Sequence, residues 1–205
     1  MPALTLFHTA QIHVATFNAL APQAELTHVV REDWLERAQG GIDAELEREI
    51  KATLQAVKDP VLCSCTTIGE VAEAAGATRI DWPMMQQAVQ IGGPVLLAYC
   101  LDSTLEPSSA LLRRAFLDAN LPADFLALDL TALWPLFETG DTQAFAEAIA
   151  SAITTEVKAR PDIAAVVLAQ ASMREARAAC NLHLEIPVLA SPEIALQTLL
   201  PEGTG

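Results

Sequence analysis

Val61-Leu62-Cys63-Ser64-Cys65-Thr66-Thr67-Ile68-Gly69-Glu70 decides how this chain is to be read. An apolar run of strand length gives way to small polar side chains and then to a helical start. At such a junction the free N–H groups and the positive end of the helix lower a thiol pKa and hold a carboxylate. Cys65 is therefore a candidate thiol, partly ionised near neutral pH. Alternate strand residues share a face, so Cys65 should face a polar cavity while Cys63 lies deeper on the same side. The bland reading is that both are small buried hydrophobes, as free cysteines usually are. A lone C-x-C without a second Cys or His pair at zinc spacing does not support a metal.

An offset of 105, which carries Cys65 onto Gln170, lays this segment over Val166-Val167-Leu168-Ala169-Gln170-Ala171-Ser172-Met173-Arg174-Glu175. Both segments read as strand, small polar turn, helix. Val61/Val166 and Glu70/Glu175 are the identities and Thr67/Ser172 is similar. The pattern suggests two copies of a half-domain, with a site in the cleft between their strand C-terminal ends. The second copy offers an amide and a hydroxyl but no thiol. Gln170 either donates to a substrate oxygen or satisfies backbone groups at the strand end. Ser172 and Thr67 each also read as helix N-caps.

Working outward, seven apolar runs read as strands: 4–7, 26–30, 61–64, 95–99, 125–130, 163–169 and 186–190. Several lack polar alternation, as strands buried on both faces do. Between them, Leu46, Ile50, Leu54 and Val57 recur at helical spacing after an Asp43 cap. Phe145, Ala148, Ile149, Ala152, Ile153 and Val157 do so after Gly140-Asp141. Leu111, Leu112, Ala115 and Phe116 form a third stripe following Ser108 and Ser109. Strands alternating with helices indicate parallel sheets covered by helices.

The chain has 205 residues, 52% hydrophobic and 5% aromatic, enough for a sizeable aliphatic core. Asp and Glu outnumber Lys and Arg 26 to 12, a net charge of -14. That balance leaves no basic stripe for nucleic acid. No apolar run approaches the roughly 20 residues that span a bilayer, and the N-terminus lacks a signal-peptide pattern. Four cysteines without a secretory signal read as reduced thiols, so a soluble cytoplasmic protein is expected.

Other polar residues sit where strands end. Phe7-His8-Thr9 closes the first strand, and Leu101-Asp102-Ser103-Thr104 follows the fourth. His8 is a candidate acid or base near neutral pH, while Thr9 and Thr104 are candidate donors to ligand oxygens. Arg79, in Arg79-Ile80-Asp81-Trp82-Pro83, either holds a substrate carboxylate bidentately or pairs internally with Asp81. His13, His28 and His183 show no partner in sequence. There is neither a Gly-rich phosphate loop nor a nucleophile elbow, so nucleotide cofactors and serine hydrolysis lack support.

With these residues in view, the chain resembles the aspartate/glutamate racemase superfamily, which includes hydantoin racemases, maleate isomerases and arylmalonate decarboxylases. The resemblance spans nearly the whole length. It rests on Phe7-His8-Thr9 as the first strand and polar loop, on Cys65-Thr66-Thr67 as the first Cys-Asn/Ser/Thr-Thr type motif, and on the stretch Val166 to Met173 with Pro187-Val188-Leu189-Ala190-Ser191-Pro192. Where the family usually has Gly-Cys-Thr, this chain has Ala169-Gln170-Ala171. The resemblance implies two pseudo-symmetric Rossmann-like α/β lobes, residues 1–93 with 187–205 and residues 94–186, and a homodimer. Racemases of the family use two cysteines on opposite faces of a substrate carbon, and here the second position is Gln170.

The expectation is thus a cofactor-independent isomerase, racemase or lyase on a small carboxylate. Cys65 would supply the chemistry, with Gln170 and His8 as further catalytic candidates. Thr9, Thr66, Thr67, Ser172 and Arg79 would hold substrate. The rival from another class is a non-catalytic ligand sensor that kept the fold.

Overall fold

The computed structural model describes residues 3–200. The chain divides into two compact units, residues 1–82 with 192–205, and residues 83–191. The division falls earlier than the sequence boundary at 93/94, because helix Trp82–Ile91 groups almost wholly with the second unit.

The first unit runs β1 (Ala3–His8), α1 (Ile12–Leu20), β2 (Glu25–Val30), α2 (Glu32–Ala38), α3 (Ala44–Gln55), β3 (Val61–Cys63), α4 (Gly69–Ala74) and β4 (Thr78–Arg79). The strands form one parallel sheet in the order β2-β1-β3-β4. Strand β1 is central, and Leu4, Leu6 and Phe7 on it are buried. Helix α3 forms as its spacing predicts: the Asp43 carboxylate accepts from the N–H groups of Glu45 and Leu46, and Leu46, Ile50 and Leu54 face inward. Each of these three side chains contributes roughly 1.5–3 kcal/mol by leaving water. They join Phe7, Trp34, Cys63, Cys65 and Ile68 in one apolar cluster on one face of the sheet. Strand β4 has two residues and carries no periodic signal, so the sequence reading misses it.

The helix α5 (Trp82–Ile91) leads into the second unit. There follow β5 (Val95–Tyr99), α6 (Asp102–Asp118), β6 (Phe125–Asp129), α7 (Trp134–Glu138), α8 (Thr142–Ala159), β7 (Ala165–Leu168), α9 (Ala176–Asn181) and β8 (Val188–Ala190), after which α10 (Ser191–Leu199) groups almost wholly with the first unit. The parallel sheet of the second unit has the order β6-β5-β7-β8, the same as the first when the strands are matched in sequence. Asp141 caps α8 by accepting from Ala144 N–H, and Phe145, Ile149, Ile153 and Val157 pack into the core with Leu96, Val166 and Leu168.

Helix α6 begins at Asp102 rather than after Ser108 and Ser109. Pro107 lies inside it, where it deletes a single intrahelical donor. Ser108 and Ser109 are buried helix residues, not caps. No helix among the described residues is long and apolar enough to cross a membrane.

The 105-residue offset is written in the main chain. In the first unit Ser64 N–H donates to the Phe7 carbonyl at 2.9 Å, and in the second Ala169 N–H donates to the Ala98 carbonyl at 2.9 Å. Likewise Arg31 N–H donates to His8 O at 2.8 Å, and Leu130 N–H to Tyr99 O at 2.9 Å. Cys65 and Gln170 therefore occupy the same backbone station, as do Thr9 and Cys100.

Candidate functional site

Cys65 follows β3 in the tight turn that opens α4, where Gly69 N–H donates to Thr66 O at 3.0 Å. Hydrogen bonding from the Thr9 hydroxyl, the N–H groups of Ile68 and Thr67 and the Thr67 hydroxyl favours the ionised form of Cys65, against burial. Two successive backbone donors flanked by hydroxyls make a small anion cradle. Thr9, Thr66 and Thr67 are buried, and Cys65 itself is 9% exposed against 1% for Cys63. Cys63 is the deeper thiol, and it donates to the Cys65 carbonyl at 3.6 Å.

The expected ionisation is corrected by this geometry. Burial, the largest influence, pushes the Cys65 thiol above its ordinary range, and the four donors only moderate that rise. Cys65 is a protonated thiol at neutral pH. The short helix α4 has Ile68 at its N-cap with no side-chain cap bond, so Thr67 serves the sulfur rather than the helix end.

His8 is also placed differently from expectation. It is 1% exposed, and burial, then His13, then His28, lower its pKa to about 3. It stays neutral through the physiological range, so it is not a group titrating near pH 7. Its Nδ1 lies 2.7 Å from Ser64 Oγ and its Nε2 lies 2.9 Å from His28 Nδ1. His28 Nε2 in turn lies 3.0 Å from Asn18 Oδ1. With both histidines neutral and Asn18 presenting its oxygen, each imidazole carries its proton on Nε2. Ser64 then shares its hydroxyl between His8 Nδ1 and the Phe7 carbonyl, 3.1 Å away. No local pattern signals the partnership, because His28 reaches His8 only through the β1–β2 register that sets Leu6 beside His28.

Arg79 takes the internal reading. Its Nε and Nη2 donate to the two Asp81 oxygens at 3.1 Å each, and both side chains are buried. The guanidinium lies across Gly69, where a Cβ would stand 2.9 Å from Arg79 Nε.

In the second unit, Gln170 lies two residues beyond β7 and is buried, and its Oε1 accepts from Cys100 N–H at 2.6 Å. That is the backbone-satisfying role, and it leaves the carbonyl end of this side chain engaged. Ser172 is half-buried within the 3₁₀ turn Ala171–Met173 and does not cap a helix; α9 starts later, behind Glu175. Thr104 is buried within α6. Among the described residues no group of three or more His, Cys, Asp or Glu is placed to hold a metal ion.

No family model and no curated protein matches the sequence. Solved structures do match. Glutamate racemase from Francisella tularensis, in complex with D-glutamate, aligns with a TM-score of 0.67 at 14% identity over 96% of this chain and 79% of that one. Aspartate racemase from Picrophilus torridus aligns with a TM-score of 0.64 at 14% identity over 97% and 94%. Arylmalonate decarboxylase aligns with a TM-score of 0.56 at 13% identity over 96% and 90%. With two four-stranded parallel sheets in matching order, the chain has the α/β fold of these racemase and decarboxylase structures.

Proposed function

We propose that this chain is a cofactor-independent, racemase-like isomerase or lyase acting on a small carboxylate, with Cys65 as its acid/base group. The observation that carries this reading is the convergence of two hydroxyls and two N–H groups on the Cys65 sulfur. A resting thiol in such a cradle is suited to giving a proton. In a lyase the substrate's C–CO2 bond breaks and CO2 leaves, the S–H proton passes to the carbanion so formed, making C–H, and the cradle holds the thiolate until it regains a proton from solvent. In an isomerase the thiolate form first takes the α-proton, breaking C–H, and the thiol so formed returns that proton to carbon. Thr66 and the turn N–H groups would hold a carboxylate oxygen. The resemblance further implies a homodimer, and the four free cysteines favour a reducing cytoplasm.

The resemblance implies a second thiol at the position of Gln170, which has none, so exchange from one face of the carbon is the form of chemistry proposed. Its bond to Cys100 also favours a second reading, a ligand-binding protein that kept the fold without turnover. A thermal-shift screen of small mono- and dicarboxylates identifies ligands, since binding stabilises the folded state by mass action. Proton NMR in deuterated water then decides between the two. Label entering a hit at its α-carbon with wild-type protein and not with Cys65→Ser supports catalysis. Binding without exchange by the wild type supports the second reading.

A further inference from the structure

Two pairs of consecutive residues, His8-Thr9 and Ser64-Cys65, lie side by side at the ends of neighbouring strands. Successive residues of a strand address opposite faces of the sheet. On one face His8 meets Ser64 at 2.7 Å, with the Phe17 ring of α1 centred 5.2 Å from the imidazole. On the other, Thr9 meets the sulfur of Cys65, which packs in the cluster with Phe7 and Trp34. The bond His8–Ser64 is thus the reverse side of the contact Thr9–Cys65. From His8 the line continues through His28 of β2 to Asn18 of α1, at 2.9 and 3.0 Å. Four elements are tied in one row beneath the thiol.

We propose that His8 is a positioning residue for Cys65: by holding Ser64, and by being held through His28 and Asn18, it sets the spacing at which Thr9 bonds the sulfur. The inference rests on Cys65 being the working thiol, but its test does not use turnover. His8 is buried with both ring nitrogens engaged, so replacing the imidazole leaves Ser64 and His28 to reorient. The strand ends then separate, and the sulfur loses the Thr9 hydroxyl.

The experiment reads the pH midpoint of Cys65 alkylation by iodoacetamide, followed site by site by mass spectrometry. Thr9→Val calibrates the loss of one hydrogen bond to the thiolate, an upward move of about one pH unit. His8→Gln and Ser64→Ala should each raise the midpoint by a similar amount. Adding Thr9→Val to either should raise it no further. His8→Asn, whose amide can take the place of Nδ1 beside Ser64, should restore the wild-type midpoint. A wild-type midpoint in His8→Gln and Ser64→Ala, or shifts that add to that of Thr9→Val, would overturn the proposal. Ser64→Ala removes a single oxygen and decides the matter should His8→Gln fail to fold. Coupling of the midpoints in a protein without exchange activity would leave the positioning role standing and remove the proposed chemistry alone.

Discussion

The N–H of Cys100 donates to Gln170 Oε1 across 2.6 Å, at the station where Thr9 meets Cys65 in the other unit. The same meeting of strand ends is closed by a hydroxyl and a sulfur in one copy and by a main-chain donor and an amide in the other. Removing the amide leaves a buried N–H without its acceptor, a loss of about 1–3 kcal/mol. Gln170→Ala should lower the urea midpoint accordingly. Gln170→Cys should do so as well, because its shorter side chain does not reach Cys100 N–H. Unchanged stability in both would show that this bond contributes nothing.

The buried histidines set an acid limit on stability. His8 and His13 are held near pKa values of about 3 and about 4, mainly by burial, so the folded state keeps them neutral. Unfolded, they bind protons below about pH 6.5. Their contribution is complete above that value and is lost as pH falls from 6.5 towards 4. At pH 4.5 each should cost roughly 1–3 kcal/mol relative to pH 7.5. Chemical denaturation across this range should give a slope that His8→Gln reduces. An equal slope in wild type and variant would contradict the assignment.

Four free thiols differ in access, and Cys65 is the most exposed of them at 9%. Iodoacetamide should therefore label Cys65 before Cys63, Cys100 or Cys180. Because burial raises its pKa, the rate should keep climbing above about pH 8.5, the ordinary thiol value. A midpoint well below 8 would mean that the four donors outweigh burial. It would also turn the proposed resting acid into a resting base.

Gly69 lies under the Arg79–Asp81 pair. Gly69→Ala places a methyl group 2.9 Å from Nε and 3.2 Å from Cζ of a guanidinium that Asp81 holds in place. The pair must shift or part. Arg79→Ala goes further and strands a buried carboxylate, at a cost of about 3–5 kcal/mol. Thermal unfolding should rank Arg79→Ala below Gly69→Ala and both below wild type. Replacing both partners by apolar residues should recover part of the loss, whereas no recovery would argue that Asp81 has a separate partner.

What was legible in the sequence was whatever is local. The strands show as Val-, Leu- and Ile-rich runs, and α3 and α8 show by their stripes and by Asp43 and Asp141, which cap them as read. The Cys65/Gln170 offset was legible because two strand-turn-helix units repeat it. Two local readings failed for identifiable reasons. The third stripe was read as following Ser108 and Ser109, where α6 already runs from Asp102, and the hydroxyls of Ser172 and Thr67 looked like caps but sit elsewhere. The histidine row is non-local: His8 lies 20 residues from His28 and 56 from Ser64. Only the strand register brings those rings together. The rise in the Cys65 pKa was hidden for the same reason, since burial is a property of the packed cluster and not of the motif.

The paired main-chain bonds, Ser64 to Phe7 and Ala169 to Ala98, are made without any side chain. Position 65 and position 170 can therefore change residue type without disturbing the ladder that locates them. Scaffold and chemistry are separable inheritances in such a chain. One copy can close its strand ends with an amide bond to the main chain while its counterpart carries a sulfur at the same station.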